Sequence, residues 1–334
     1  MLRTLLLLIS LAAFFPAYGA DACTEATPTC TEWVNLNAPA RALIYRTYPL
    51  EKKNSKITRA LIVIHGSGRD ADNYFRTALA ATFLAGAFAD TIVISPRFAS
   101  NNGRGCNDKL GPNEINWSCS GDSWRSGGVA TDNSKLTSYD LMDEILRKLA
   151  RKEAFPNLKV IVVSGHSAGG QYVTRYEMAN RVHETLGIPI NYVVSNPSSY
   201  AYLDPERPAG ANSELRPFGD ARNCTTYDNW PYGLKNRSGY TTNIPDDQLK
   251  KQMATRGATY LLGELDILPL GGFDSSCPAM AQGPTRLARG QAFVNYVNQK
   301  YQAQHKVIVI PLCGHNARCM FTAELALPIL FPKL

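Results

Sequence analysis

With 334 residues, 45% of them hydrophobic and 19% charged, the chain is ordinary for a globular protein and long enough to bury a sizeable core. Its net charge of +7 is modest for this length and its basic residues are scattered, which excludes the concentrated basic patch of a nucleic-acid-binding protein. The densest basic cluster, Arg147, Lys148, Arg151 and Lys152, reads as one solvated helix face, and no nucleic-acid motif accompanies it.

The first twenty residues predict a secretory signal peptide. Arg3 gives a basic start, Leu5 to Phe15 an apolar run too short to span a bilayer comfortably, and Pro16 to Ala20 a small-residue exit. Cleavage after Gly19 and cleavage after Ala22 both fit, and cleavage before Asp21, which removes Arg3, lowers the net charge to +6. Export predicts a secreted or periplasmic protein with no stable membrane span after leader removal. In an oxidising compartment eight cysteines predict disulfides. Proximity in sequence pairs Cys23 with Cys30, Cys106 with Cys119 and Cys313 with Cys319, leaving Cys224 for Cys277. No second C-x-x-C and no H-E-x-x-H accompanies Cys313 and His315, so neither a metal nor another cofactor is expected.

Asp21 to Pro39 reads as a polar lead-in. Arg41 to Tyr48 alternates in the manner of an antiparallel edge strand, and Ala60 to Ile64 is apolar throughout, as in a parallel strand covered on both faces. A helix is predicted over 71–85 and a second buried strand over 91–95. Residues 97–131, rich in Asn, Gly and Ser and carrying Trp117 and Trp124, predict a long ordered loop. Thr137 to Asp140 forms a capping box ahead of the helical stripe Leu141, Met142, Ile145, Leu146 and Leu149.

Val160 to Ser164 is the next strand, and it runs straight into Gly165-His166-Ser167-Ala168-Gly169-Gly170 and a helix over 171–185. That layout is a nucleophile elbow: a serine forced out of the sheet edge on a tight turn, flanked by glycines because larger side chains would strike neighbouring backbone. Further strands are predicted over 190–194, 258–262 and 306–310, and helices over 285–302 and from Ala317 to about Leu330. Between them, residues 196–255 form a second irregular excursion, rich in proline and tyrosine. Strands alternating with helices at this rhythm predict a doubly wound, mostly parallel α/β sheet with helices on both faces. With no linker or repeat, residues 21–334 read as a single domain with insertions at about 97–131 and 196–255.

The elbow, together with Ile64-His65-Gly66 after an early strand, resembles the α/β-hydrolase superfamily of serine hydrolases, and the strand spacing carries the likeness from about Arg41 to about Leu330. The resemblance implies a triad in the chain order serine, acid, histidine, each on a loop at the carboxyl end of a strand. Ser167 would be the nucleophile. His315, a few residues past the last strand, stands where the family places its histidine; His65, His166, His183 and His305 do not. Gly263-Glu264-Leu265-Asp266 resembles the family's acid turn, which favours Asp266 over Glu264 and Asp274. The oxyanion hole would take one amide from Ala168 and another from Ser67, with Gly68 as the alternative.

Trp117, Trp124 and Trp230, with Tyr227 and Tyr232, fall in the two insertions and are candidates for substrate contact; the other reading is that they form small cores that hold the loops. The expected function is a secreted carboxylic-ester hydrolase acting on a small-molecule or polymeric ester. The alternatives are a peptidase or amidase, a polyester or feruloyl-ester depolymerase, and a non-catalytic binding protein.

Overall fold

The computed structural model describes residues 22–334 apart from 103–104, 121–122, 134 and 211–212, so the expected signal peptide lies outside the described residues. The central sheet has eight strands in the order β1-β2-β4-β3-β5-β6-β9-β10. β1 (Thr31–Asn37) and β2 (Ala40–Arg46) pair antiparallel, and β2 pairs antiparallel with β4 (Thr91–Pro96). All other neighbours are parallel: β3 (Arg59–Ile64), β5 (Val160–His166), β6 (Ile190–Ser195), β9 (Ala258–Gly263) and β10 (Lys306–Ile310). Register aligns Ile64 with Gly165 and His166 with Ser195, so the carboxyl ends of the central strands open on one edge.

The apolar strands are covered on both faces, as their composition requires. Leu61, Val63, Val93, Val162, Val193 and Leu261 face α1 (Ala71–Leu84), α7 (Ala317–Thr322) and α8 (Leu327–Leu330). Ile62, Ile64, Ile94, Val163, Val194 and Leu262 face the larger core, built with α2 (Ser138–Ala150), α3 (Ala168–Ala179), α4 (Asp246–Thr255) and α6 (Arg286–Tyr301), the short α5 (Cys277–Met280) lying between the last two in the chain. Period-two alternation thus assigns each strand residue to one of two cores, and each fully buried large side chain contributes roughly 1.5–3 kcal/mol.

Four elements depart from the sequence expectation. The lead-in contains β1, which covers β2, so β2 is not the edge strand it resembles. Only Val34 of β1 is fully buried and Trp33 packs under the Arg41 guanidinium at 4.1 Å, which leaves little apolar signal to read. The helix after the elbow starts at Ala168 and stops at Ala179, because the Asn180 carbonyl oxygen of the side chain accepts from the amides of Val182 and His183 and turns the chain. The 196–255 stretch holds a hairpin of β7 (Glu206–Ala209) and β8 (Glu214–Pro217) as well as α4. The last helix is two short ones, parted where Ala323 becomes extended, with Pro328 in the first turn of α8.

Residues 97–131 are irregular as expected, held by isolated bridges such as Trp117 to Ala130 and by the pair Cys106–Cys119. All four cysteine pairs form as proximity suggested. Among the described residues no helix is long and apolar enough to cross a membrane.

The capping box of α2 is present: Thr137 accepts from the Asp140 amide, and Asp140 accepts from the Thr137 amide at 2.8 Å. Thr137→Ala should lower unfolding free energy by about 1 kcal/mol. Urea denaturation followed by far-UV circular dichroism measures this; an unchanged midpoint would show that the cap does not hold the helix.

Candidate active site

Ser167 stands between β5 and α3 with φ 59° and ψ −118°, a conformation that is sterically costly for any residue with a side chain. The turn is tight enough that a Cβ on Gly169 would strike the carbonyls of Ile64 and His65, and one on Gly165 would strike Gly169. The Ser167 amide donates to the Ser195 carbonyl at 2.9 Å, which ties the elbow to β6. Its side chain opens into a cleft of 380 Å³ lined by Ser67, Tyr74, His166, Gly271 and His315.

His315 Nε2 lies 2.9 Å from Ser167 Oγ, and His315 Nδ1 lies 2.8 Å from Asp266 Oδ2. The other acid candidates point elsewhere. Glu264 accepts from the Leu312 amide, and Asp274 accepts from the Tyr232 hydroxyl and from Ser276. Asp266 is buried, and its second oxygen accepts from Arg286 Nη1 at 3.1 Å. Arg286, with no exposed side-chain surface, also donates to Ser198 Oγ and to the carbonyls of Leu270 and Gly271. Both oxygens of the buried carboxylate are therefore matched by hydrogen-bonding partners, as a buried polar group requires.

The histidine loop is fixed from three sides. Cys313 is bonded to Cys319, the Cys313 carbonyl accepts from the Leu265 amide, and Asn196 reaches across from the end of β6. The Asn196 side chain accepts from the Gly263 amide at 2.8 Å and donates to the Gly314 carbonyl at 3.2 Å, so one residue sets the distance between the acid and histidine loops.

His65 and His166 flank the site but bond differently. The Phe98 amide donates to His65 Nε2, so the ring proton sits on Nδ1 and is donated to the Gly66 carbonyl at 2.9 Å. The Arg69 amide donates to the same carbonyl. In a trans peptide N–H and C=O are antiparallel, so these two donors also direct the Ser67 amide, which leaves the opposite side of the same peptide unit. Arg69 in turn is clamped on Asp108 at 2.7 Å and donates to the Ser67 carbonyl. The amide of Ala168 belongs to the first turn of α3, where helical N–H groups lack acceptors four residues back. His166 packs 4.6 Å from the His315 ring, its Nδ1 lies 3.1 Å from the Tyr74 hydroxyl, and burial, with the nearby His315 and Arg286, holds its pKa well below the ordinary histidine range. A neutral ring therefore stands beside His315.

Trp117 is fully buried in the larger core and does not line the cleft. Trp124 stacks on Phe98 at 5.1 Å, and the Trp230 indole N–H donates to the Ser126 carbonyl; each lines a smaller side cavity. Arg286 and Asn196 carried no sequence signal. An arginine opening a helix and an asparagine after a strand look like ordinary polar residues until the loops close on them. Among the described residues no group of three His, Cys, Asp or Glu side chains is placed to hold a metal.

A family model described as the alpha/beta hydrolase family matches residues 61–326. The chain belongs to the α/β-hydrolase family. Membership supports a hydrolytic activity. Among solved structures, this α/β-hydrolase is similar to LpqC, a poly(3-hydroxybutyrate) depolymerase from Bordetella parapertussis, with 19% identity, TM-score 0.61, and coverage of 89% of this chain and 86% of that one. It is also similar to poly(aspartic acid) hydrolase-1 from Sphingomonas sp. KT-1, with 20% identity, TM-score 0.59, and coverage of 90% and 97%. At these identities the likeness is one of fold. No curated protein matches the sequence.

Burial lowers the pKa of His65 from 6.5 to about 4. The unfolded chain takes up that proton near pH 6.5 and the folded one resists until about pH 4, so His65 contributes stability above pH 6.5 that is lost as pH falls toward 4. The loss reaches about 3 kcal/mol. Urea denaturation at pH 7 and pH 4.5 should show a smaller acid loss for His65→Gln than for wild type; equal losses would mean that the ring protonates freely in the fold.

Proposed function

We propose that this α/β-hydrolase is an exported serine hydrolase that cleaves carboxylic esters through an acyl-Ser167 intermediate. The observation that carries the reading is the hydrogen-bonded chain from Ser167 Oγ through the His315 ring to Asp266, with links of 2.9 and 2.8 Å. As Ser167 Oγ bonds to the substrate carbonyl carbon, its proton passes to His315 Nε2, and Asp266 stabilises the imidazolium through Nδ1. The carbonyl oxygen, now negative, is met by the amides of Ser67 and Ala168. Collapse breaks the bond to the alcohol, which leaves with the proton from Nε2. Water then gives a proton to His315 and attacks the acyl carbon, releasing the acid and restoring Ser167. Export is supported by the leader composition and the four cysteine pairs.

A fluorophosphonate probe should label the wild type and not Ser167→Ala, and ester turnover should fall by roughly three to six orders of magnitude in that variant. Asp266→Asn, which misorients the imidazole, should cost roughly four orders. Equal label on folded wild type and Ser167→Ala would overturn the reading.

One observation favours a polymeric ester over a small one. Among the described residues Leu265, Ile267, Leu268, Leu270 and Leu312 are at least 49% exposed, and all lie on the loops that carry Asp266 and His315. Apolar surface beside a reaction centre suits an apolar polymer, the kind of substrate named for the Bordetella depolymerase. Replacing Leu268 and Leu270 together by serine should lower turnover of a polyester film relative to that of a soluble ester; an unchanged ratio would leave the small-ester reading in its place.

A further inference from the structure

Beside the cleft lies a second cavity, of 300 Å³, lined by Ser123, Arg125, Gln171, Arg175, Tyr232 and Asp274 among others. Two links relate it to the reaction centre. Gln171 is one turn along α3 from Ser167, with its amide on the Ser167 carbonyl. Arg125 also lines, with Ser67, a smaller cavity of 160 Å³, and Ser67 is in turn part of the cleft wall.

Arg125 is unlike the other arginines buried here. Arg175 donates to the carbonyls of Pro231 and Gln171 and to Ser199 Oγ. Arg289 donates to the carbonyls of Gly283, Ser198 and Asp274, and Arg286 is saturated by Asp266, Ser198 and two carbonyls. Among the described residues Arg125 makes one hydrogen bond, from Nε to Ser123 Oγ at 3.2 Å, and no carboxylate pairs with it. A guanidinium has five N–H donors, so most of its capacity is unspent. Its position is half-buried, and that burial holds it below the ordinary arginine range, although Tyr232 and Asp274 pull the other way. Donors left unmatched on a half-buried guanidinium favour a ligand that reaches them, and a planar carboxylate is the group that matches the fork.

The charges facing the cavity decide the sign of its ligand. Arg125 and Arg175 stand against Asp274, whose oxygens already accept from Tyr232 and from the amide and hydroxyl of Ser276. Among the described lining residues the balance is one positive charge, and the unspent donors are on Arg125.

We propose that this cavity is a subsite for a carboxylate carried by the substrate, with Arg125 as its recognition residue. The substrate class is then an ester that bears a free carboxylate a short chain away from the scissile bond, such as a dicarboxylic half-ester or the acid end of an oligomeric hydroxy acid. The inference rests on the ester-hydrolase reading for its place in catalysis, although not for its chemistry of binding.

The test compares p-nitrophenyl hydrogen adipate with p-nitrophenyl hexanoate, which have acyl chains of equal length with and without the terminal carboxylate. Wild type should prefer the charged ester, and Arg125→Gln should lower the ratio of the two kcat/KM values about tenfold or more. Arg125→Lys, which keeps the charge and loses the fork, should retain part of the preference. In parallel, calorimetric titration of adipate onto Ser167→Ala should give an affinity weakened by a similar factor when Arg125→Gln is added. A ratio unchanged in Arg125→Gln, or adipate that fails to bind Ser167→Ala, overturns the subsite. If neither ester is cleaved the acyl-serine reading fails, and the adipate titration alone decides the subsite. If Arg125→Gln loses its near-ultraviolet spectrum, the ratio in Arg125→Lys decides.

Discussion

Ser167 can occupy its left-handed conformation only because the backbone around it comes closer than any side chain would permit. Gly165 and Gly169 nearly touch, and Gly169 lies against the carbonyls that end β3, so the strand carrying the serine, the helix behind it and the neighbouring strand form one packed unit. The alignment of Ile64 with Gly165 in the sheet follows from the same closeness, and it places the loop of His65, Gly66 and Ser67 beside the serine. A conformation of this kind costs roughly 1–3 kcal/mol and persists because the surrounding sheet over-determines it. The two cores on either face of β3, β5 and β6 supply that rigidity.

The second dependence is electrostatic. Asp266 divides its oxygens between His315 and Arg286, and Arg286 also holds the carbonyls of Leu270 and Gly271 and the hydroxyl of Ser198. One buried cation thus joins the acid loop, the first residues after β6 and the start of α6. Removing either partner of a buried pair typically costs 3–5 kcal/mol, because the remaining charge stays in a medium that solvates it poorly. Asn196 performs the neutral counterpart of this task between the acid and histidine loops.

Where the sequence was legible, the signal was local. Ala60 to Ile64 and Val160 to Val163 are apolar runs whose burial needs no partner to be recognised, and the elbow is a contiguous motif. Ser167, Asp266 and His315 stand at strand ends in the order that the family resemblance implies, and the structure brings the three within hydrogen-bonding distance. What escaped notice depends on contacts distant in sequence. Only Val34 of β1 is fully buried, with Leu36 packed partly against the same core, and α4 sits in a stretch read as irregular, its first turn opening with Pro245, Asp246 and Asp247. Arg286 and Asn196 acquire their roles only when loops separated by twenty and by more than sixty positions meet. The cysteine pairs at separations of 6, 7 and 13 residues match what proximity suggests, and Cys224–Cys277 is the pair that remains.

The bond between Cys313 and Cys319 encloses His315 in a small covalent ring. Before oxidation this segment is an open chain, anchored mainly by Asn196 and the Leu265 amide, and a mobile imidazole costs the proposed reaction its proton acceptor. Closing that ring shortens the span over which the proposed proton acceptor can wander to the few residues between the two sulfurs.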